Sequence, residues 1–246
     1  MNNNFPLILI GSPTSANKAY CDDLWVKNAL ETDYPKDRYK VVLYDNTQDN
    51  GEYCASLNDR YKSDNFECIR SNTKFCRGLK SLLAKGHNDI RDYAIKHEYD
   101  FLLHLESDVF PEPNFLQELL FHDKPVVGAI YHRDEGKGRR LMIQKQVFAG
   151  TGNLLMQNFD PEDAVYFIDG TLKSVGHAGL GCVLIRKDVL EKIPFRYEEK
   201  IHAYPDSFWS EDLYRRGIKY FVDTKLICTH LNSNWHTDLY AKGLEA

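Results

Sequence analysis

Long hydrophobic runs are missing from this sequence of 246 residues. The apolar stretches span only a few residues each, whereas a helix that crosses a bilayer needs about 20. The apolar run at residues 5–10 is also too short for a secretory signal, has no basic residue before it and ends in Gly11-Ser12-Pro13. The sequence therefore predicts no transmembrane segment and a cytoplasmic location.

An excess of positive charge is missing as well. The chain carries 31 Lys and Arg against 36 Asp and Glu, and its net charge is −5. Proteins that neutralise many phosphates usually concentrate basic residues, so nucleic acid is not favoured as a partner. A basic stretch at residues 133–145 is a partial exception, interpreted either as a lid over an anionic ligand or as a solvated loop.

Paired cysteines are the third absence. None of the six cysteines forms a Cys-x-x-Cys pair or shows a spacing typical of zinc ligands. Several lie in apolar runs, as buried free thiols do. The pattern indicates reduced thiols, in agreement with a cytoplasmic location.

Strand-like and helix-like patterns alternate along the chain. Apolar runs predict strands at residues 5–10, 41–44, 100–105, 126–131, 182–185 and 225–229. Helical spacing predicts helices at residues 18–30, 79–97 (interrupted at Gly86), 114–121, 188–193 and 210–216, whereas residues 47–74 give no clear pattern. This alternation is typical of an α/β fold with an open, mostly parallel twisted sheet flanked by helices. Ligands of such sheets bind outside the carboxyl ends of the strands.

Two acids directly follow one of these predicted strands. Glu106-Ser107-Asp108 comes at the carboxyl end of the strand at residues 100–105. Residues i and i+2 of an extended segment point to the same side, so both carboxylates could face one ligand. A divalent cation bound to diphosphate oxygens would remove the repulsion between them. The alternative is an ordinary turn whose acids cap the next helix.

Five segments in a fixed order resemble one known family. They are residues 7–14; Lys85-Gly86-His87-Asn88 with the following Ile90-Arg91-Asp92; residues 99–108 with Pro111-Glu112-Pro113; residues 175–189; and Ser210-Glu211-Asp212 with the stretch that ends at His230. Together they resemble the GT-A glycosyltransferases, close to the family 2 type, over residues 5–231. The resemblance implies a single GT-A domain over residues 1–246, with a nucleotide-sugar half at about 5–110 and an acceptor half at about 111–235. Glu106 stands where the family usually has Asp, and His87 where it usually has Arg.

The resemblance also implies a metal site and a donor site. Asp108, Glu106 and His230 would hold the metal, and such a carboxylate–imidazole set accepts Mn²⁺ readily and Mg²⁺ less so. The residues implied around the nucleotide-sugar donor are Ser12, Pro13, Asp45, Asn88, Arg91, Glu106, Ser107 and Gly181. Asp45, Asn88 and Arg91 have ordinary structural alternatives, namely a turn acid, a helix-interrupting polar residue and a surface ion pair. His236 competes with His230.

Ser210-Glu211-Asp212 resembles the catalytic acid pair of the family. Asp212 is then the general base that takes the proton of the acceptor hydroxyl, with Glu211 as the second candidate. The alternative is a Ser N-cap followed by acids in the first helical turn. Three glycines, at positions 176, 179 and 181, either admit a sugar or form turns, and Trp209 and Trp235 either stack on sugars or fill the core.

The preferred hypothesis is a metal-dependent, inverting glycosyltransferase that moves a sugar from a nucleotide-diphosphate sugar to an acceptor hydroxyl. A nucleotidyltransferase is the first alternative, although the loop at residues 11–18 is poor in the glycines and cations that such enzymes carry. The second alternative is a non-catalytic relative that binds a nucleotide sugar or glycan. The acceptor stays open between a glycan, a lipid-linked sugar, a protein and a modified nucleobase.

Overall fold

Strand and helix alternate through the first part of the chain, as the sequence pattern predicts. The computed structural model describes residues 5–134, 139–148 and 154–232. The first elements are β1 (Ile8–Thr14), α1 (Asp22–Leu30), β2 (Tyr39–Asp45), α2 (Glu52–Arg60), β3 (Phe66–Arg70), α3 (Leu79–Lys96) and β4 (Phe101–Leu105).

The second part contains more strands and shorter helices. Its elements are β5 (Val109–Phe110), α4 (Phe115–Phe121), β6 (Val126–Asp134), β7 (Arg139–Leu141), β8 (Ile143–Phe148), β9 (Leu154–Asn158), α5 (Pro161–Phe167), β10 (Leu172–Val175), β11 (His177–Ala178), β12 (Cys182–Arg186), α6 (Lys187–Lys192), α7 (Pro205–Arg215) and β13 (Tyr220–His230). Among the described helices, none combines the length and apolar character needed to cross a membrane.

One large sheet has the order β10-β13-β6-β12-β4-β1-β2-β3. The strands β3, β2, β1 and β4 run parallel, and β13 runs parallel to β6. The strand β12 is antiparallel to both of its neighbours, and β11, β8 and β9 form a separate small sheet. This architecture confirms the predicted α/β fold with a mostly parallel central sheet.

Helices cover both faces of the large sheet. On β1, Ile8 and Ile10 pack on one face together with residues of α1, α2 and α4, whereas Leu9 packs on the other face with residues of α3, α6 and α7. Alternate residues of a strand point to opposite faces. The uninterrupted apolar run of β1 therefore marks a strand buried on both sides, and its carboxyl end is left as the place for a ligand.

Residues 47–74, for which the sequence predicts no element, contain regular structure, and two sequence predictions of local structure were wrong. Residues 47–74 contain α2 and β3, whose buried positions are separated by polar residues that face solvent. The helix α3 runs through Gly86 without interruption, because a Cβ there would lie 2.6 Å from Cβ of Pro13 and only glycine permits this close approach. The helix predicted to start at Ser210 begins at Pro205, which occupies a first-turn position where a missing N–H costs nothing.

Candidate active site

The segment Glu106-Ser107-Asp108 leaves the carboxyl end of β4 and is fixed by its backbone. The Glu106 N–H donates to the carbonyl of Gly181 at 2.9 Å. From α1, the indole N–H of Trp25 donates to the Glu106 carbonyl at 2.8 Å, and just before α1 the thiol of Cys21 donates to the Ser107 carbonyl. These bonds hold both acids in one orientation, as a ligand site requires.

His230 joins the two acids through the pairing of β13 with β5. The register places His230 opposite Val109, and the Leu231 N–H donates to the Asp108 carbonyl at 2.9 Å. One ligand atom each of Glu106, Asp108 and His230 lies within 4.8 Å of the other two. The sequence-predicted metal ligands are therefore brought together.

The donor set fits a divalent cation. His230 Nδ1 donates to the His132 carbonyl at 3.0 Å, and this bond turns Nε2 toward Asp108 Oδ2 at 3.5 Å. Backbone carbonyls commonly orient metal-binding imidazoles in this way. Two carboxylates and one neutral imidazole are ligands that Mn²⁺ accepts well, so the residues present suit the ion that the resemblance implies.

The charges of this cluster influence one another. Burial, followed by the charge of Asp108, raises the pKa of Glu106. Burial alone would also raise the pKa of Asp108, but the His230 hydrogen bond and the charge of Lys18 lower it. In the folded chain Asp108 is thus the more readily ionised of the two acids.

Sequence reasoning missed Lys18. This residue ends a short 3₁₀ turn between β1 and α1, and its ammonium contacts Asp108 Oδ2. The loop at residues 11–18 is poor in cations, but its only Lys reaches the central acid of the site. Contacts between segments 90 residues apart leave no local signal in a sequence.

The predicted donor residues of β1 and β2 lie at the same edge as the acids. Ser12 and Pro13 stand opposite Leu43 and Tyr44, one step before Asp45. Asp45 is fully buried and its Oδ1 accepts the Thr47 N–H at 2.8 Å. Within the described parts of the chain, its buried Oδ2 has no hydrogen-bond partner.

Asn88 and Arg91 form hydrogen bonds with the segment around α6. The Asn88 amide donates to the Phe195 carbonyl at 2.7 Å and accepts the Phe195 N–H at 2.9 Å. Arg91 donates to the Leu190 carbonyl at 2.6 Å near the end of α6. The structure thus shows both side chains joining α3 to the segment around α6, and it does not bring them to the acid cluster.

Asp212 and Glu211 do not occupy the positions that the sequence predicts. They lie in the second half of α7, not in its first turn, so the proposed Ser210 N-cap is wrong. Arg196 binds the Asp212 carboxylate with two donors, at 2.7 and 3.1 Å, and Arg215 binds Glu211 at 2.6 Å. Arg196 also contacts the Glu211 carboxylate at 3.2 Å, so ion pairs of both acids hold the segment after α6 against α7.

A different acid occupies the first turn of α7. Asp206 Oδ2 lies 3.7 Å from Nε2 of the buried His177, whose Nδ1 is 2.8 Å from the Ser210 hydroxyl. After burial and the charge of Asp108, the charge of Asp206 is a further cause of the raised pKa of Glu106. The charge of Asp206 therefore acts on Glu106, although no motif in the sequence marks this residue.

Gly181 and Gly179 face a tyrosine ring. A Cβ on Gly181 would lie 2.4 Å from two ring carbons of Tyr131, and one on Gly179 would lie 2.1 Å from its hydroxyl oxygen. That hydroxyl accepts the Gly181 N–H at 3.1 Å, and the ring packs edge-on against His230. The space beside Gly181, which was predicted to admit the donor, is filled by Tyr131.

The remaining predicted residues lie in the core, in strands or outside the described parts of the chain. Trp209 is fully buried and stacks on Phe195, so it belongs to the core. Most of the stretch at 133–145 forms the strands β6, β7 and β8, with residues 135–138 outside the described parts. Trp235 and His236 also lie outside the described residues.

No protein-family model matches the chain. A comparison with curated proteins finds no match either. Solved structures do match. GalNAc-T7 in complex with UDP, GalNAc and Mn²⁺ is similar at a TM-score of 0.62 and 10% identity, over 93% of this chain and 44% of its own.

Staphylococcus aureus TarS (residues 1–349) is similar in two further complexes. With UDP the TM-score is 0.54 at 16% identity, over 93% of this chain and 62% of the TarS chain. With UDP-GlcNAc it is 0.55 at 15% identity, over 92% and 59%. This chain has the GT-A fold. It spans less than two thirds of the length of each of these proteins, and at 10–16% identity the likeness establishes the fold.

Proposed function

We propose that this chain is a glycosyltransferase that uses a divalent cation and a nucleotide-diphosphate sugar. The observation that carries the proposal is the cluster of Glu106, Asp108 and His230 at the carboxyl end of β4, within 4.8 Å of one another. The GT-A fold supports it, because the similar GalNAc-T7 and TarS structures contain UDP, Mn²⁺ or UDP-GlcNAc. A UDP-linked N-acetylhexosamine is therefore the first donor to test.

Each member of the cluster has a defined part in this proposal. Asp108, the more readily ionised acid, and the oriented Nε2 of His230 would hold the cation, with Glu106 completing the set. A bound divalent cation would neutralise the charge that develops on the departing diphosphate. Asp45, whose buried Oδ2 has no partner among the described residues, would accept a hydrogen bond from the nucleoside.

Asp206 is the better-supported general base. It lies in the first turn of α7 and its charge is one of the causes that raise the pKa of Glu106, whereas Arg196 binds Asp212 with two donors. Asp206 would take the proton of the acceptor hydroxyl while that oxygen bonds to the anomeric carbon and the bond to the diphosphate breaks. A single displacement of this kind inverts the anomeric centre.

Product analysis separates this proposal from its alternatives. The chain is incubated with Mn²⁺ and UDP-GlcNAc or UDP-GalNAc, and free UDP is measured with and without candidate acceptors. Release of UDP supports a glycosyltransferase. Binding without release indicates a non-catalytic relative, and formation of pyrophosphate from UTP and a sugar phosphate indicates a nucleotidyltransferase.

A further inference from the structure

A lysine ammonium lies inside the proposed metal cluster. Lys18 Nζ contacts Asp108 Oδ2, the same oxygen that lies 3.5 Å from His230 Nε2. The Asp108 side chain is 1% exposed and that of Lys18 is 23% exposed. The lysine therefore reaches inward from the surface and places its charge on a buried ligand atom.

Hydrogen bonds fix the backbone around Lys18, whereas its side chain is long and flexible. The Lys18 N–H donates to the Ser15 carbonyl at 2.8 Å, and the Lys18 carbonyl accepts the Cys21 N–H at 3.0 Å. The turn thus determines where the side chain starts. The flexible four-carbon stem allows the ammonium to leave Asp108 without any movement of the backbone.

An ammonium and a divalent ion would stabilise the charge on this oxygen in the same way. Two nearby carboxylates, of which Asp108 is buried and Glu106 partly buried, repel each other, and either cation relieves that repulsion. Both cannot bind Asp108 Oδ2 at once, because two positive charges would then lie within a few ångströms in a poorly solvated place.

We propose that Lys18 is an internal competitor of the divalent ion. It neutralises Asp108 in the metal-free chain, and its ammonium leaves Asp108 when the ion binds. The inference rests on the metal-binding part of the proposed function and not on sugar transfer, so it is tested with Mn²⁺ alone and without nucleotide.

The first experiment is calorimetric titration of Mn²⁺ into the full chain and its Lys18→Met variant. Methionine keeps the apolar stem of lysine and removes the charge. Competition predicts that Lys18→Met binds Mn²⁺ at least about tenfold more tightly, since a buried ion pair no longer has to be broken. The matched control is Lys27→Met on α1, whose side chain is 68% exposed, and which should bind within about twofold of the unmodified chain.

A second measurement separates competition from a general effect of charge and does not need the variant to fold. Lysines of the unmodified chain are acetylated briefly with and without Mn²⁺, and the modification of each is measured by mass spectrometry. Release from Asp108 predicts that Mn²⁺ increases the acetylation of Lys18 and leaves that of Lys27 unchanged. Unchanged or reduced acetylation of Lys18 in the presence of Mn²⁺ overturns the inference. So does Mn²⁺ binding by Lys18→Met that is equal to or weaker than binding by the unmodified chain, or a failure of both chains to bind Mn²⁺. Competition without any UDP release from nucleotide sugars would uphold the inference and refute only the proposed transfer.

Discussion

Substitution of Gly181 tests whether this glycine serves packing or a ligand. In Gly181→Ala, the new Cβ would lie 2.4 Å from two ring carbons of Tyr131, which is itself buried. Gly181 is not among the glycines with positive φ, so the penalty is steric and not a matter of backbone conformation. Overpacking of this kind costs about 1–3 kcal/mol, and the severity of the overlap favours about 3 kcal/mol.

A double-mutant cycle identifies the cause. Tyr131→Leu removes the ring atoms that meet the new Cβ, so adding Gly181→Ala to it should cost less than about 1 kcal/mol. The expected coupling free energy is therefore about 2 kcal/mol, within the range found for residues in contact. Urea unfolding of the four proteins, followed by circular dichroism, gives the free energies of unfolding.

Gly170→Ala is the matched control, because Gly170 has φ +79° and open space around its Cα. Its cost of about 1 kcal/mol should arise from the left-handed backbone alone and should not change in the Tyr131→Leu background. The reasoning is refuted if Gly181→Ala costs the same with and without the Tyr131 ring. Loss of UDP binding without loss of stability would instead support the original donor-binding interpretation.

Three further predictions concern the base, the product and acid stability. Asp206→Asn should lower transfer by about 10²-fold or more with UDP affinity retained, whereas Asp212→Asn should stay within about threefold because Arg196 binds that carboxylate; the reverse result in kinetic assays would assign the base to Asp212. An α-linked gluco- or galacto-configured donor should give a β-linked product by proton NMR of the anomeric coupling, and an α product would exclude a single displacement. Burial, with the charge of His104 beside it, lowers the pKa of His87 well below its usual value, so the folded chain binds fewer protons than the unfolded chain in mild acid. The stability that the neutral His87 contributes should be complete above about pH 6.5 and decrease below it. His87→Gln should therefore lose less free energy of unfolding between pH 7 and pH 5 than the unmodified chain, as measured by urea unfolding. A loss equal to that of the unmodified chain, or an equal effect of the exposed His97→Gln, would contradict this prediction.

The acid cluster could be predicted because its signal is local. An apolar strand followed at once by Glu106 and Asp108 places both acids at the edge where parallel sheets bind ligands. His230 was found only through the family resemblance, since its position depends on the pairing of β13 with β5. Only the signal of the two acids lies within a few consecutive residues.

The parts that sequence reasoning missed depend on contacts between distant segments. Lys18 meets an acid 90 residues away, and Asn88 bonds to a backbone 107 residues away. The acid pair at 211–212 matched a motif, but the start of α7 was set by Pro205, which moved the first-turn position to Asp206. Such placements are decided by tertiary packing, and no local period or spacing encodes them.

The central claim is that Glu106, Asp108 and His230 bind a divalent ion that is required for the nucleotide. Calorimetric titration of UDP into the full chain, with Mn²⁺ and separately with EDTA, tests it directly. We predict that EDTA weakens UDP binding by at least about tenfold, and that Asp108→Asn removes the difference between the two conditions while the exposed-site control Asp59→Asn preserves it. Equal affinity for UDP with Mn²⁺ and with EDTA in the unmodified chain would contradict the claim.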